Sequence, residues 1–179
     1  ADHYFYINGN LLDISGLLSN FHILSADKNI KPDMSITLQM GYGTSFKDYD
    51  VLITRQEDRI LFSRSDYLII VDDKYTHCNL FVHDDFALKH ALINLYSSFI
   101  VFHNWGLLVH SSCVVENNKA HIFAGHSGAG KSTAARLSLP RELLSDEATI
   151  IKVENDGVTV YNSPFRSEIV TNEDVPDYA

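Results

Sequence analysis

Proline is scarce in this chain, four residues in 179, and so are cysteine, methionine and tryptophan, at two, two and one. With nine glycines as well, the composition excludes collagen-like and proline-rich low-complexity chains. The two cysteines, Cys78 and Cys113, each sit inside an apolar run. They suggest no disulfide framework and read instead as buried thiols in a reducing compartment. No Cys or Cys/His spacing of the metal-binding kind occurs, and the nine histidines are scattered. Bases are few: 14 Lys and Arg stand against 23 Asp and Glu, a net charge of -9. Coating nucleic acid or anionic membrane requires a basic face, so neither partner is expected, although a local basic pocket remains compatible. A long unbroken apolar run is also missing. The most apolar stretch, Phe86 to Leu108, is interrupted by Lys89, His90, Asn94 and His103, which argues against a membrane span. The opening residues carry no signal-peptide pattern, and the expectation is a cytoplasmic protein.

What is present is ordinary for a globular domain: 45% hydrophobic, 11% aromatic and 21% charged residues. The last six residues, Asp174 to Ala179, coincide with the end of a common epitope tag, although Asn172-Glu173 before them does not match it. A tag remnant, a chance match and a native chain cut short are the three readings, and nothing below depends on them.

Residues 1–83 read as a β-rich part. Tyr4 to Ile7 is aromatic and β-branched, followed by Asn8-Gly9-Asn10 as a turn. Val51 to Thr54, Ile60 to Phe62, Tyr67 to Val71 and Asn79 to Val82 are short apolar runs separated by polar breaks, which predicts a meander. Residues 84–179 begin with a helix. Asp84 or Asp85 caps it, and Phe86, Leu88, Leu92, Leu95, Tyr96, Phe99 and Phe102 recur at three- and four-residue steps. This stripe is read as a core-facing scaffold rather than a ligand box. Gly106 is the expected stop. From Leu107 two apolar runs flank Asn117-Asn118, a β-hairpin pattern. The two parts are also compatible with one continuous domain.

The hairpin's second strand, Ala120 to Ala124, runs into Gly125-His126-Ser127-Gly128-Ala129-Gly130-Lys131-Ser132, a full match to the phosphate-binding pattern G-x-x-x-x-G-K-[ST]. Each residue type has a reason. Glycines let backbone amides turn inward around phosphate oxygens. Lys131 reaches the β- and γ-phosphates, Ser132 presents its hydroxyl to Mg²⁺, and a helix starting there, extending through Thr133 towards Pro140, aims its positive end at the anion. The nucleotide-contacting set is therefore Gly125, Ser127, Gly128, Ala129, Gly130, Lys131, Ser132 and Thr133, with ATP and Mg²⁺ as cofactors. His126 occupies a free position of the motif and receives no role. A strand-like Glu142 to Ser145 then leads to Asp146-Glu147, fifteen residues past Lys131. Acids at that strand end either sit beside the phosphates and their metal or cap a surface turn. A second hairpin is predicted around Asn155-Asp156-Gly157. The glycine-rich loop thus lies between two hairpins, unlike the parallel βαβ setting of ordinary P-loop NTPases. The expected class is α/β of the α+β kind, a mixed, largely antiparallel sheet with a P-loop and helix.

Leu108 to about Glu168 resembles the catalytic core of HPr kinase/phosphorylase and phosphoenolpyruvate carboxykinase-like kinases. The matching residues are His110, Gly125 to Ser132, Leu144-Ser145-Asp146-Glu147 and Asn162-Ser163-Pro164-Phe165-Arg166. The chain differs in having Thr133 where HPr kinases usually carry an acid, and Glu147 as the second of the acidic pair. Their domain also continues further, so the resemblance implies a core incomplete at its C-terminus. The β-rich first part looks more like smaller relatives that tailor ribosomal peptides, such as lasso-peptide precursors.

The resemblance implies phosphoryl transfer from ATP to a hydroxyl, chiefly serine, of a protein or peptide. Catalytic residues would be Asp146 as general base, Lys131, and His110, whose alternative is a hydrogen-bonded strand histidine. Ser132 and Glu147 would serve the metal. Arg166 would contact phosphate or an acidic substrate, or have no role. Homo-oligomers are a family expectation. A kinase for free serine and a nucleotide-binding regulatory module without turnover are the competing classes.

Overall fold

The computed structural model describes residues 1, 3–9, 17–24 and 30–166. The chain forms two compact units, Asp2–Leu95 and Tyr96–Ala179 with Ala1, so the division falls inside a helix. Asn10 of the first expected turn and the tag-like Asp174 to Ala179 lie outside the described residues, as does the end of the family-like stretch at Glu168.

The first unit holds β1 (Phe5–Gly9), a 3-10 turn at Leu17–Asn20, β2 (Met34–Met40), β3 (Leu52–Gln56), β4 (Arg59–Arg64), β5 (Tyr67–Asp72) and β6 (His77–Val82). The six strands form one sheet in the order β1-β2-β6-β5-β4-β3. From β3 to β6 every pairing is antiparallel, the predicted meander. β2 enters beside β6 in parallel and carries β1 in parallel on its far side. The sequence reading left β2 unassigned, although Met-Ser-Ile-Thr-Leu alternates cleanly: Met34, Ile36 and Leu38 are buried while the residues between them face outward. The same alternation buries Ile60, Phe62, Ile69, Val71, Leu80 and Val82. One ion pair interrupts this apolar face. Arg64 is bidentate on Asp66, Nε to Oδ1 at 2.6 Å and Nη2 to Oδ2 at 2.8 Å, and its guanidinium stacks on Phe46 and Tyr67.

α1 (Asp85–Phe102) starts where Asp84 Oδ1 accepts the amide of Ala87 at 2.9 Å, so Asp84 is the cap. Its buried stripe is turned slightly from the expected one. Ala87, Leu88, Ala91, Leu92, Leu95, Tyr96, Phe99 and Ile100 are buried, whereas Phe86 and Phe102 are 40% and 45% exposed. Alanines supply close packing that a count of large residues overlooks. The helix ends at Phe102, and Asn104 rather than Gly106 closes it. Asn104 adopts φ 51°, its amide bonds to Val101 O at 3.0 Å and that of Trp105 to Ile100 O at 2.9 Å, a complete Schellman closure. Gly106 instead opens the next strand, where a Cβ would lie 2.0 Å from Ile151 O.

The second unit contains β7 (Gly106–Glu116), β8 (Lys119–Ala124), α2 (Lys131–Leu137), β9 (Glu142–Ser145), β10 (Ala148–Glu154) and β11 (Gly157–Tyr161). All pairings are antiparallel, in the order β11-β10-β7-β8 with β9 also on β7. Asn117 and Asn118 turn the first hairpin with φ 53° and 56°, the two left-handed residues that a type I′ turn needs. In the second, Glu154 pairs with Gly157, so Asn155-Asp156 forms the loop and Gly157 belongs to the strand, one residue off the expected Asp-Gly turn. α2 packs Ala135 on Val114 and Leu143, while Cys113, Leu144 and Val160 form a separate cluster. None of the described helices is long and apolar enough to cross a membrane.

Candidate functional site

Register around β7 explains how the acidic pair is presented. Cys113 pairs with Ser145 at the end of β9, and His110 pairs with Ala148 at the start of β10. Two residues lie between these pairs on each strand, so the register along β7 runs on from Ser145 into β10, with Asp146 and Glu147 lying across from Ser112 and Ser111; within β9 it shifts by one between Val114 and Cys113. Strand pairing is interrupted at these two acids, one step past the shift at Leu144. A hydroxyl cluster holds the break. Ser111 Oγ donates to Thr149 Oγ1 at 2.6 Å, Ser145 Oγ contacts the same Thr149 oxygen, and Ser145 Oγ lies 3.4 Å from Ser111 O. The Ser111 amide reaches Glu147 O at 3.2 Å, and Ser112 Oγ approaches Asp146 O at 3.5 Å. Ser111, Ser112, Ser145 and Thr149 are completely buried. Buried hydroxyls are costly unless bonded, so their mutual bonding makes the break a defined shape. Sequence reasoning named Ser145 only within the family-like Leu144 to Glu147 and passed over the other three. The signal for Ser111 and Ser112 was Ser-Ser in the middle of the apolar run from Leu107 to Val115.

The glycine-rich loop joins β8 to α2. Gly128 and Gly130 take φ 80° and 86°, a region that L side chains rarely enter. Nothing lies within 4 Å of where a Cβ would stand at either, so both present bare backbone to open space. Gly125 has a different reason: its Cβ would come 2.9 Å from that of Ala129. His126 Nδ1 donates to Ser127 O at 2.7 Å, and the Ala129 amide bonds to His126 O at 3.1 Å. Lys131 folds back across the loop, Nζ donating to Gly125 O at 3.0 Å and His126 O at 3.1 Å. These are neutral carbonyl acceptors on an exposed side chain, bonds that an arriving anion can replace.

Loop and strand break share one open cavity of about 360 Å³. From the loop side it is lined by Ser127, Gly128, Gly130, Lys131, Ser132 and Thr133, and from the sheet side by His110, Asp146 and Glu147. Most of the expected site residues therefore converge. Gly125 and Ala129 shape the loop without lining the cavity. Arg166 does not line it either: its Nη2 donates to Leu143 O at 3.2 Å and to Asn162 Oδ1. Asp146 is 3% exposed, so its carboxyl stands in the wall rather than on a surface turn.

Neither cysteine belongs to this chemistry. Burial pushes the Cys78 thiol up to about 12 and Cys113 to about 11, leaving both as neutral packing groups. Among the described residues no group of three or more His, Cys, Asp or Glu could hold a metal alone. Mg²⁺ ordinarily takes only one or two protein ligands and completes its shell with phosphate oxygens and water, so Ser132 and Glu147 across one cavity suit a nucleotide-borne ion. Neither a protein-family model nor a curated protein matches this chain.

Proposed function

We propose that this chain is an ATP-dependent kinase that transfers the γ-phosphoryl group to a serine hydroxyl of a protein or peptide, in the manner of the HPr kinase-like group. The observation that carries the reading is the convergence of a complete phosphate-loop sequence with two carboxylates and a histidine around one cavity. A glycine-rich turn of purely structural use needs no acids across from it.

In this reading the backbone of Gly128 to Lys131 cradles the phosphates, and Lys131 Nζ exchanges its two carbonyl acceptors for phosphate oxygens. Ser132 and Glu147 would hold Mg²⁺, which when bound would neutralise charge on the transferring group. Asp146 accepts the proton of the acceptor hydroxyl as its oxygen bonds to the γ-phosphorus and the bond to the departing ADP oxygen breaks. His110 stands beside the acids, available to orient the acceptor. Positioning and charge neutralisation account for most of such a catalyst's effect.

Incubation with Mg-ATP and a panel of HPr, a serine-ended precursor peptide and free serine, followed by mass spectrometry, tests the reading. A phosphate mass shift on HPr or the peptide, absent with Lys131→Ala, supports it. Label on free serine alone replaces it with a small-molecule kinase. ATP binding without any transfer replaces it with a regulatory nucleotide-binding module.

A further inference from the structure

Arg166, like Gly125 and Ala129 of the loop, belongs to the expected site but stands outside the cavity lining. Its surroundings suit a different task from phosphate contact. The Nη2 group is committed to Leu143 O and Asn162 Oδ1, and Nη1 is buried with no hydrogen-bond partner among the described residues. The segment carrying it is held firmly. The Ser163 amide donates to Leu144 O at 2.8 Å, the Phe165 amide to Ser163 Oγ at 3.2 Å, and the buried Phe165 ring packs 5.9 Å from that of Tyr96. Residues 162–166 therefore grip two successive carbonyls of β9, those of Leu143 and Leu144, immediately before the strand breaks at Asp146. A guanidinium taken out of water needs a counter-charge. Burial makes the cation harder to keep, and Asp146, itself buried, is the carboxylate whose charge offsets this.

We infer that Arg166 is a positioning residue acting from behind the cavity wall: it clamps the end of β9 and balances the buried charge of Asp146, so that this carboxylate stays at the wall facing the cavity. Its catalytic consequence rests on the kinase reading above. The pairing itself does not.

The test uses Arg166→Gln, Arg166→Lys, Asp146→Asn and the Arg166→Gln/Asp146→Asn double variant of the full chain. Affinity for a non-hydrolysable Mg-ATP analogue and urea midpoints are measured on each. A balanced pair predicts that the double variant unfolds at higher urea than Asp146→Asn alone, because removing the cation relieves an uncompensated charge. It also predicts analogue affinity within about twofold of the parent for Arg166→Gln, since no phosphate contact is lost. On the acceptor labelled by the parent, Arg166→Gln should lower kcat roughly 10-fold or more with the KM for ATP little changed, and Arg166→Lys should recover part of that loss. Midpoint losses that simply add, or an affinity loss of roughly 10-fold or more in Arg166→Gln, overturn the inference. Should Arg166→Gln fail to fold, Arg166→Lys carries the test. It keeps the charge but cannot serve both oxygens with a planar fork, so full activity in it would also overturn the clamp. Absence of transfer by the parent protein would defeat the kinase reading while the midpoints still decide the pairing.

Discussion

The two units fill the inside of a sheet in opposite ways. Among the described residues of Asp2–Leu95 the buried positions are almost all apolar, including Met34, Ile36, Leu38, Ile69, Val71, Leu80 and Val82, and the buried Arg64–Asp66 ion pair is bidentate and closed on itself. In Tyr96–Ala179 the centre of the sheet holds four buried hydroxyls and a buried carboxylate. Apolar burial stabilises roughly in proportion to the area removed from water. A buried polar centre gains little net stability, since each group merely exchanges water for a protein partner. What it supplies is shape: here, a strand whose register continues through a break at Asp146-Glu147. The contrast suggests that the first unit is built chiefly for stability and the second around a site.

If so, the largest effects of substitution in the second unit are on chemistry, and those in the first are on folding. Lys131→Ala should abolish transfer and weaken Mg-ATP binding roughly 10–100-fold, the worth of a lost charge-assisted contact, measured by calorimetry. Asp146→Asn should bind nucleotide yet lose at least ~100-fold in rate. Unchanged turnover in Asp146→Asn would remove Asp146 as base while leaving the phosphate-loop reading in place. On the other side of the comparison, Leu80→Ala removes a side chain that is 1% exposed and should destabilise the fold by about 2–5 kcal/mol in urea titration. A loss well below that would mean the first unit's core collapses around the gap and is less tightly packed than its burial implies.

The same contrast decides what could be read from sequence. Short apolar runs separated by polar breaks exposed the meander from β3 to β6, and the loop from Gly125 to Ser132 was legible as a match to a pattern of fixed spacing. β2 was missed although its residues alternate, and its parallel pairing was not legible, because its partner β6 lies beyond three intervening strands. The stop of α1 was misplaced because Asn104 took the left-handed position usually given to glycine. Arg166 was legible as a residue suited to oxyanions, but its place outside the cavity lining depends on the register of β9 against residues 162–166. The hydroxyl cluster was least legible, since Ser111 lies far along the chain from Ser145 and Thr149 and no motif links the three.

That cluster offers a more moderate test. Thr149→Val keeps shape but removes the oxygen that meets both Ser111 and Ser145. Two buried hydroxyls then lose a partner, at a cost of about 1–3 kcal/mol. If the cluster shapes the strand break, the folded variant should also turn over more slowly, with nucleotide affinity retained. A stability loss with turnover unchanged would reduce these hydroxyls to packing.

The smallest effect lies in the first unit, where Asp72 organises the turn before β6. Its carboxylate accepts the Thr76 amide at 2.7 Å, the Thr76 hydroxyl at 2.6 Å and the His77 amide at 3.0 Å. Partial burial pushes the carboxyl up, but these bonds outweigh it and hold Asp72 below the usual carboxylate range. A depressed value means that the unfolded chain takes up the proton first. The stabilisation is therefore complete above the unfolded value, near ~4, and disappears as pH falls through the lower folded one. Asp72→Ala should cost up to about 1 kcal/mol at neutral pH, because the turn is largely exposed to solvent. Below pH ~4 the parent should lose that advantage and its urea midpoint converge on the variant's. A gap that stays constant across the acid range would mean that the turn depends on the shape of Asp72 and not on its charge.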